Sequence, residues 1–178
     1  MLTELYLIRH GDATRAKDVP YDVAPGPGLS AQGRYEARQA ATFLSGRGVR
    51  HLFVSPFRRT LQTAEHISEQ LGLGVSVRSL LTEAPHSESV EAIRARIQEF
   101  LSALADVPYP TVGVVSHGSP LLVFQSELRG EAVDLRRAPD HLLLPTAGIW
   151  HARRHGDGWQ VARVFAPDAG WRKATVVY

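Results

Sequence analysis

Short apolar runs alternate along the chain with segments of helical period, and this alternation constrains the fold more than any other feature. Leu5-Tyr6-Leu7-Ile8, His51-Leu52-Phe53-Val54, Val75-Ser76-Val77 and Thr111-Val112-Gly113-Val114-Val115 each read as a strand, the first and last as buried ones. Helical patterns lie between them. Ser30 is a fitting N-cap for a helix that carries Ala37, Ala40, Ala41 and Leu44 and ends at Gly46 and Gly48. Ser55-Pro56 combines a capping side chain with a proline suited to the first helical position, and the helix it opens runs to Leu71 and stops at Gly72. Val90, Ile93, Ile97, Leu101 and Leu104 form a single stripe, and Ser119-Pro120 repeats the capping pattern ahead of a short helix through Leu128. Such alternation builds βα units, so the expected fold is α/β: a three-layer sandwich with a mostly parallel central sheet and helices on both faces. Gly148-Ile149-Trp150 and Trp159-Gln160-Val161 flank the turn residues His155-Gly156-Asp157-Gly158, which predicts a late hairpin adding an antiparallel edge strand. With 178 residues, a single domain over 1–178 is expected.

Two of these strands end alike. Residues 5–8 run into Arg9-His10-Gly11, and residues 111–115 run into Ser116-His117-Gly118. Open α/β sheets bind ligands beyond the carboxyl ends of their strands, and a glycine there lets a ligand approach the main chain. A lone histidine at a strand end is more often a hydrogen-bonded structural group than a catalyst, but two in matching contexts favour function.

A cation, an imidazole and bare backbone at one point suit phosphoryl transfer, which needs a nucleophile, positive charge around the equatorial oxygens and a proton for the leaving group. His10 is the candidate nucleophile, since a neutral imidazole can attack through one nitrogen when the other is held as a donor to a backbone carbonyl. Arg9 supplies a fork that matches two phosphate oxygens. Arg58 falls in the first turn of the helix opened by Ser55-Pro56, where its side chain and the free N–H groups can face the same anion. Arg59 points about 100° away around the axis, so only Arg58 is expected to reach. At His117 the following helix lowers the pKa and a bound phosphate raises it; with phosphate bound, a protonated His117 is expected to donate to an equatorial oxygen. For the proton donor Glu83, Glu88 and Asp12 are candidates between which spacing does not choose. Residues 12–28 carry Pro20, Pro25, Pro27, Gly26 and Gly28, which exclude regular structure, and Arg15 and Lys17 on this loop are either substrate contacts or solvated charges.

Composition removes several alternatives. There is no cysteine, which rules out disulfides, thiol catalysis and thiolate metal sites. Of the eight histidines, His151 and His155 are the close pair at an offset of four. On a strand they stand about 13 Å apart, too far to share an ion. His51, His66, His86 and His141 show no ligand spacing, so no metal is expected. The net charge is +2 and basic residues are scattered in pairs, which argues against a nucleic-acid groove. No basic n-region precedes an apolar stretch and no segment reaches membrane-spanning length, so a cytoplasmic protein without a membrane partner is expected. Nothing in the pattern specifies an oligomeric state.

Leu7-Ile8-Arg9-His10-Gly11-Asp12-Ala13, Ser55-Pro56-Phe57-Arg58-Arg59-Thr60-Leu61-Gln62-Thr63-Ala64 and Val115-Ser116-His117-Gly118 closely resemble the three signature segments of the histidine phosphatase superfamily, also called phosphoglycerate mutase-like. Leu29-Ser30-Ala31-Gln32-Gly33 through Gln39-Ala40 resembles its first-helix segment, and the motifs run in family order to about Gly118. The resemblance implies a phosphohistidine mechanism in which His10 is phosphorylated, and Arg9, Arg58 and His117 form the phosphate pocket. It implies that Glu83 protonates the leaving oxygen and later activates water, and that no metal or organic cofactor takes part. Many members follow the acid with a Gly-x-Trp-Glu-Gly-like segment, whereas here Glu83 precedes Ala84-Pro85-His86-Ser87-Glu88. The chain also lacks the long insertions that cover the pocket in glycolytic mutases, and an open pocket suits hydrolysis. The expected activity is a phosphatase acting on a small phosphorylated substrate and releasing inorganic phosphate. The alternatives are a protein phosphohistidine phosphatase, a mutase-type transferase and a non-catalytic phosphate-binding module.

Overall fold

In a computed structural model, which describes residues 1–15, 18–133, 135 and 145–168, the strands and helices alternate as far as residue 129. They are β1 (Glu4–Arg9), α1 (Ala31–Leu44), β2 (His51–Val54), α2 (Arg58–Leu71), β3 (Gly74–Val77), α3 (Val90–Ala103), β4 (Thr111–Ser116) and α4 (Gly118–Arg129). A hairpin of β5 (Ile149–His155) and β6 (Gly158–Phe165) follows. The sheet order is β3-β2-β4-β1-β5-β6, with β3, β2, β4 and β1 parallel and both hairpin strands antiparallel. The hairpin thus contributes two antiparallel strands where one edge strand was expected, because β5 pairs along β1 and carries β6 outward as the edge.

Alternation along β1 sorts the core into two layers. Leu5 and Leu7 join Val112 and Val114 of β4 against Ile93, Ile97 and Phe100 of α3 and Leu121 and Phe124 of α4. Tyr6 and Ile8 face the other way, with Leu52, Val54 and Val115, onto Ala40, Ala41 and Leu44 of α1 and Ala64 and Ile67 of α2. This is the α/β sandwich with helices on both faces. The small alanine face of α1 lets it lie close on both the sheet and α2.

The ends of α1 and α2 follow their signals. Ser30 caps α1, its hydroxyl accepting from the Gly33 N–H at 3.0 Å, and α2 stops at Gly72, whose φ of +67° suits glycine. The start of α2 does not follow its signal. The helix begins at Arg58 with Phe57 at the N-cap position and no side-chain cap, two residues beyond the expected proline start. His117 likewise occupies the N-cap position of α4, so Pro120 lies inside the first turn.

Candidate active site

The parallel pairing of β1 with β4 brings the two His-Gly segments together. Arg9 stands opposite Ser116 in the ladder, and the His10 N–H donates to the Ser116 carbonyl at 3.0 Å. The His10 and His117 ring centroids are 5.2 Å apart, and both residues are buried. Ser116 also donates its hydroxyl to the Leu81 carbonyl at 2.7 Å, which ties the turn at Ser79–Leu81 to the end of β4 and brings Glu83 beside His117.

A guanidinium lies among these groups, and it belongs to Arg59. Its Nε donates to His10 Nε2 at 3.2 Å, and its Nη2 donates to Glu83 Oε2 at 3.0 Å and lies 3.1 Å from His117 Nδ1. Nη1 donates to the Tyr21 carbonyl at 2.9 Å, while the rings of Tyr21 and Phe57 stand 4.2 and 4.5 Å from the guanidinium carbon. The expectation for Arg58 is therefore corrected. Its side chain is exposed, and its backbone N–H donates to the Pro25 carbonyl at 2.7 Å. The reason is helical phase: Arg59, Thr60, Thr63, Ala64 and Ile67 form the buried stripe of α2, and Arg58 lies outside it on the side of exposed Leu61 and Glu65.

His10 Nδ1 lies 2.7 Å from the Gly11 carbonyl. A carbonyl only accepts, so Nδ1 carries the proton and Nε2 presents its lone pair. Burial pushes the His10 pKa well below 6.5, and the charges of His117, Arg59 and Arg9 push the same way against the Gly11 bond. His117 is also lowered, by burial first, although Glu83 opposes this. Its Nε2 is 2.7 Å from the Ser55 hydroxyl. Glu83 is raised by burial, but the bond from His117 and the charges of His117 and Arg59 outweigh this and hold it at about 2.

The other sequence candidates separate clearly. Asp12 Oδ2 accepts from the Ser30 hydroxyl at 2.6 Å, and Glu88 binds Arg96 through both oxygens at 2.8 and 3.0 Å. Neither joins the cluster, whereas Glu83 does. Arg9 ends β1 half-buried, Arg15 is exposed, and Lys17 lies outside the described residues. Three contributors besides Arg59 were not anticipated. The Ser55 hydroxyl serves His117, the Thr63 hydroxyl accepts from the Gly11 N–H at 3.1 Å while donating to the Arg59 carbonyl at 2.7 Å, and Tyr21 covers Arg59. Thr63 shares the buried stripe with Arg59 and could have been found with it.

Ligand atoms of His10, Glu83 and His117 lie within 4.8 Å of one another, a spacing a metal ion could use. Arg59 already touches all three residues. A fixed cation among the donors opposes a second cation and favours an anion, so the donor set fits phosphate better than metal.

A sequence profile of the histidine phosphatase superfamily (branch 1) matches residues 5–87 and 79–167. The chain belongs to that superfamily. Among curated proteins it is similar to the "Probable phosphoglycerate mutase GpmB" of Escherichia coli, at 24% identity over 163 residues covering 72% of this chain and 76% of that protein. Among solved structures it resembles a proposed alpha-ribazole-5'-P phosphatase of Escherichia coli K-12, with a TM-score of 0.78 at 19% identity over 92% of this chain and 97% of the other. It also resembles a mycobacterial glucosyl-3-phosphoglycerate phosphatase, with a TM-score of 0.75 at 20% identity over 93% and 99%. The proposed phosphohistidine phosphatase SixA of Agrobacterium tumefaciens gives a TM-score of 0.70 at 23% identity over 94% and 100%. No helix among the described residues is long and apolar enough to cross a membrane.

Proposed function

We propose that this chain is a metal-independent phosphatase that hydrolyses phosphomonoesters through a covalent phosphohistidine on His10. The observation that carries the reading is the fixed tautomer of His10, with Nδ1–H turned to the Gly11 carbonyl and Nε2 presented beside Arg59, Glu83 and His117. In the first step Arg59 Nε turns from Nε2 to the phosphoryl oxygens, the freed Nε2 lone pair attacks phosphorus, the bond from phosphorus to the ester oxygen breaks, and Glu83 gives that oxygen a proton. In the second, water attacks phosphorus, Glu83 takes its proton, the N–P bond breaks and inorganic phosphate leaves. Arg59 and Arg9 offset the charge on the transferring group, and His117 donates to an equatorial oxygen once it is protonated.

Glu83 rests ionised, so its proton must arrive with the substrate. A phosphomonoester monoanion, whose second pKa is about 6, brings one. A dianion entering the same space raises the proton affinity of both Glu83 and His117.

A mutase-type transfer is the second reading, favoured by the likeness to GpmB. Hydrolysis is preferred because Glu83 keeps access to solvent, with 15% of its side chain exposed, and a mutase must keep water from its phosphoenzyme. The likeness to SixA supports a phosphohistidine protein as an alternative substrate of the same chemistry. Incubation with a generic aryl phosphate labelled at phosphorus should give an acid-labile phosphoryl group on His10 and release of inorganic phosphate, and H10A should lose both. Full activity in H10A would sink the nucleophile assignment, and phosphate passing between hydroxyls of one sugar acid without release would favour the mutase.

A further inference from the structure

A cavity of about 330 Å³ adjoins the cluster through Glu83, whose carboxylate belongs to both. Tyr21, Pro85, Ile93 and Leu135 line it, and Tyr21 is also the residue whose ring covers Arg59. Its size is that of a pocket enclosing a small ligand of one or two rings. Two carboxylates besides Glu83 line it. Glu88 is neutralised by the paired bonds from Arg96, but Asp22 is partly solvent-exposed and faces His86 across 3.7 Å, with His86 almost fully exposed.

The proton of Glu83 has to reach the ester oxygen, so that oxygen lies where the cluster and the cavity meet, and the remainder of the alcohol extends into the cavity. With Glu83 holding the proton it passes to the ester oxygen, a carboxylate on that alcohol would approach the charge of Asp22 in a partly desolvated space. Repulsion between like charges about 6 Å apart in such a setting corresponds to roughly tenfold in affinity.

We propose, building on the phosphatase reading, that this cavity is the leaving-group subsite and that Asp22 is its specificity-determining residue. The site then takes phosphomonoesters of compact, flat or apolar alcohols that are uncharged or cationic, and rejects those bearing a carboxylate.

Two nearly isosteric esters isolate the charge: 4-carbamoylphenyl phosphate and 4-carboxyphenyl phosphate. The wild-type kcat/KM should favour the amide by about tenfold, and D22N should reduce that ratio below threefold through a lower KM for the carboxylate ester. A wild-type ratio near one, a preference for the acid, or a ratio unchanged in D22N overturns the proposal. Should neither ester turn over, the phosphatase reading fails, and calorimetry with the matching amide and acid benzylphosphonates decides the subsite separately: tighter binding of the amide supports it, and equal or weaker binding refutes it.

Discussion

Arg58 and Arg59 are adjacent in sequence, yet one side chain is exposed and the other touches His10, Glu83 and Tyr21. This difference is a functional prediction. R59K keeps the charge but loses the planar fork that reaches His10, Tyr21, Glu83 and His117 at once, so kcat/KM should fall about 10²- to 10³-fold, as for loss of a preorganised transition-state donor. R58A should change it less than threefold. The reverse pattern in steady-state kinetics with an aryl phosphate would return the phosphate role to Arg58. Arg59 was legible in the sequence by a route other than the helix start. Counting back in fours from Ile67 through Thr63 lands on Arg59, whereas the Ser-Pro signal placed the first turn two residues early. That signal failed because the Ser55 hydroxyl bonds His117, 62 positions away, and no local pattern encodes a partner so distant.

At the scale of elements, the loop after β1 is fastened to the first turn of α1. The Ser30 hydroxyl donates to Asp12 Oδ2, the Ser30 N–H donates to the Asp12 carbonyl at 2.9 Å, and the Asp12 N–H donates to buried Glu36 at 2.8 Å. Gly33 makes this approach possible, since a Cβ there would sit 1.9 Å from the Asp12 carbonyl oxygen. G33A should therefore cost at least about 3 kcal/mol in urea denaturation and also lower kcat, because the displaced loop carries Gly11, the hydrogen-bond partner of His10. Gly46, just past α1, has φ +76° and open space around it, so G46A should cost only about 1 kcal/mol and leave kcat alone. Equal losses in the two variants would mean that the contact between loop and helix does not position the site. The boundaries of α1 and the end of α2 were legible because caps and glycine stops are local. Tyr21 was not, since its place over Arg59 depends on the path of an irregular loop.

Across the whole molecule, the paired His-Gly strands were the part of the site most legible in sequence, but their adjacency is a property of the order β3-β2-β4-β1, which no single segment specifies. That order buries two imidazoles around one guanidinium, with the partly exposed Glu83 carboxylate beside them, and global stability then depends on pH. The native state resists protonation of His10, whose pKa lies well below 6.5 through burial and then the charges of His117 and Arg59, and His117 shifts the same way. Below about pH 6.5 the unfolded chain binds protons that the native chain does not, so stability falls as pH drops through that value, by up to about 1.4 kcal/mol per pH unit for each imidazole. Glu83 adds a second window: against burial, the bond from His117 and the charges of His117 and Arg59 hold its native pKa below the ordinary carboxylate value, so the stability it contributes is present above about pH 4.5 and lost as pH falls towards 2. Urea denaturation from pH 8 to 5 should therefore show stability declining below about 6.5. H10N, which places an uncharged amide donor near the Gly11 carbonyl and cannot take up the proton, should decline with a shallower slope over the same range. Identical slopes in H10N and the natural chain would mean that His10 is not held neutral by its surroundings, and with that the lone pair required for attack on phosphorus would no longer be assured below neutral pH.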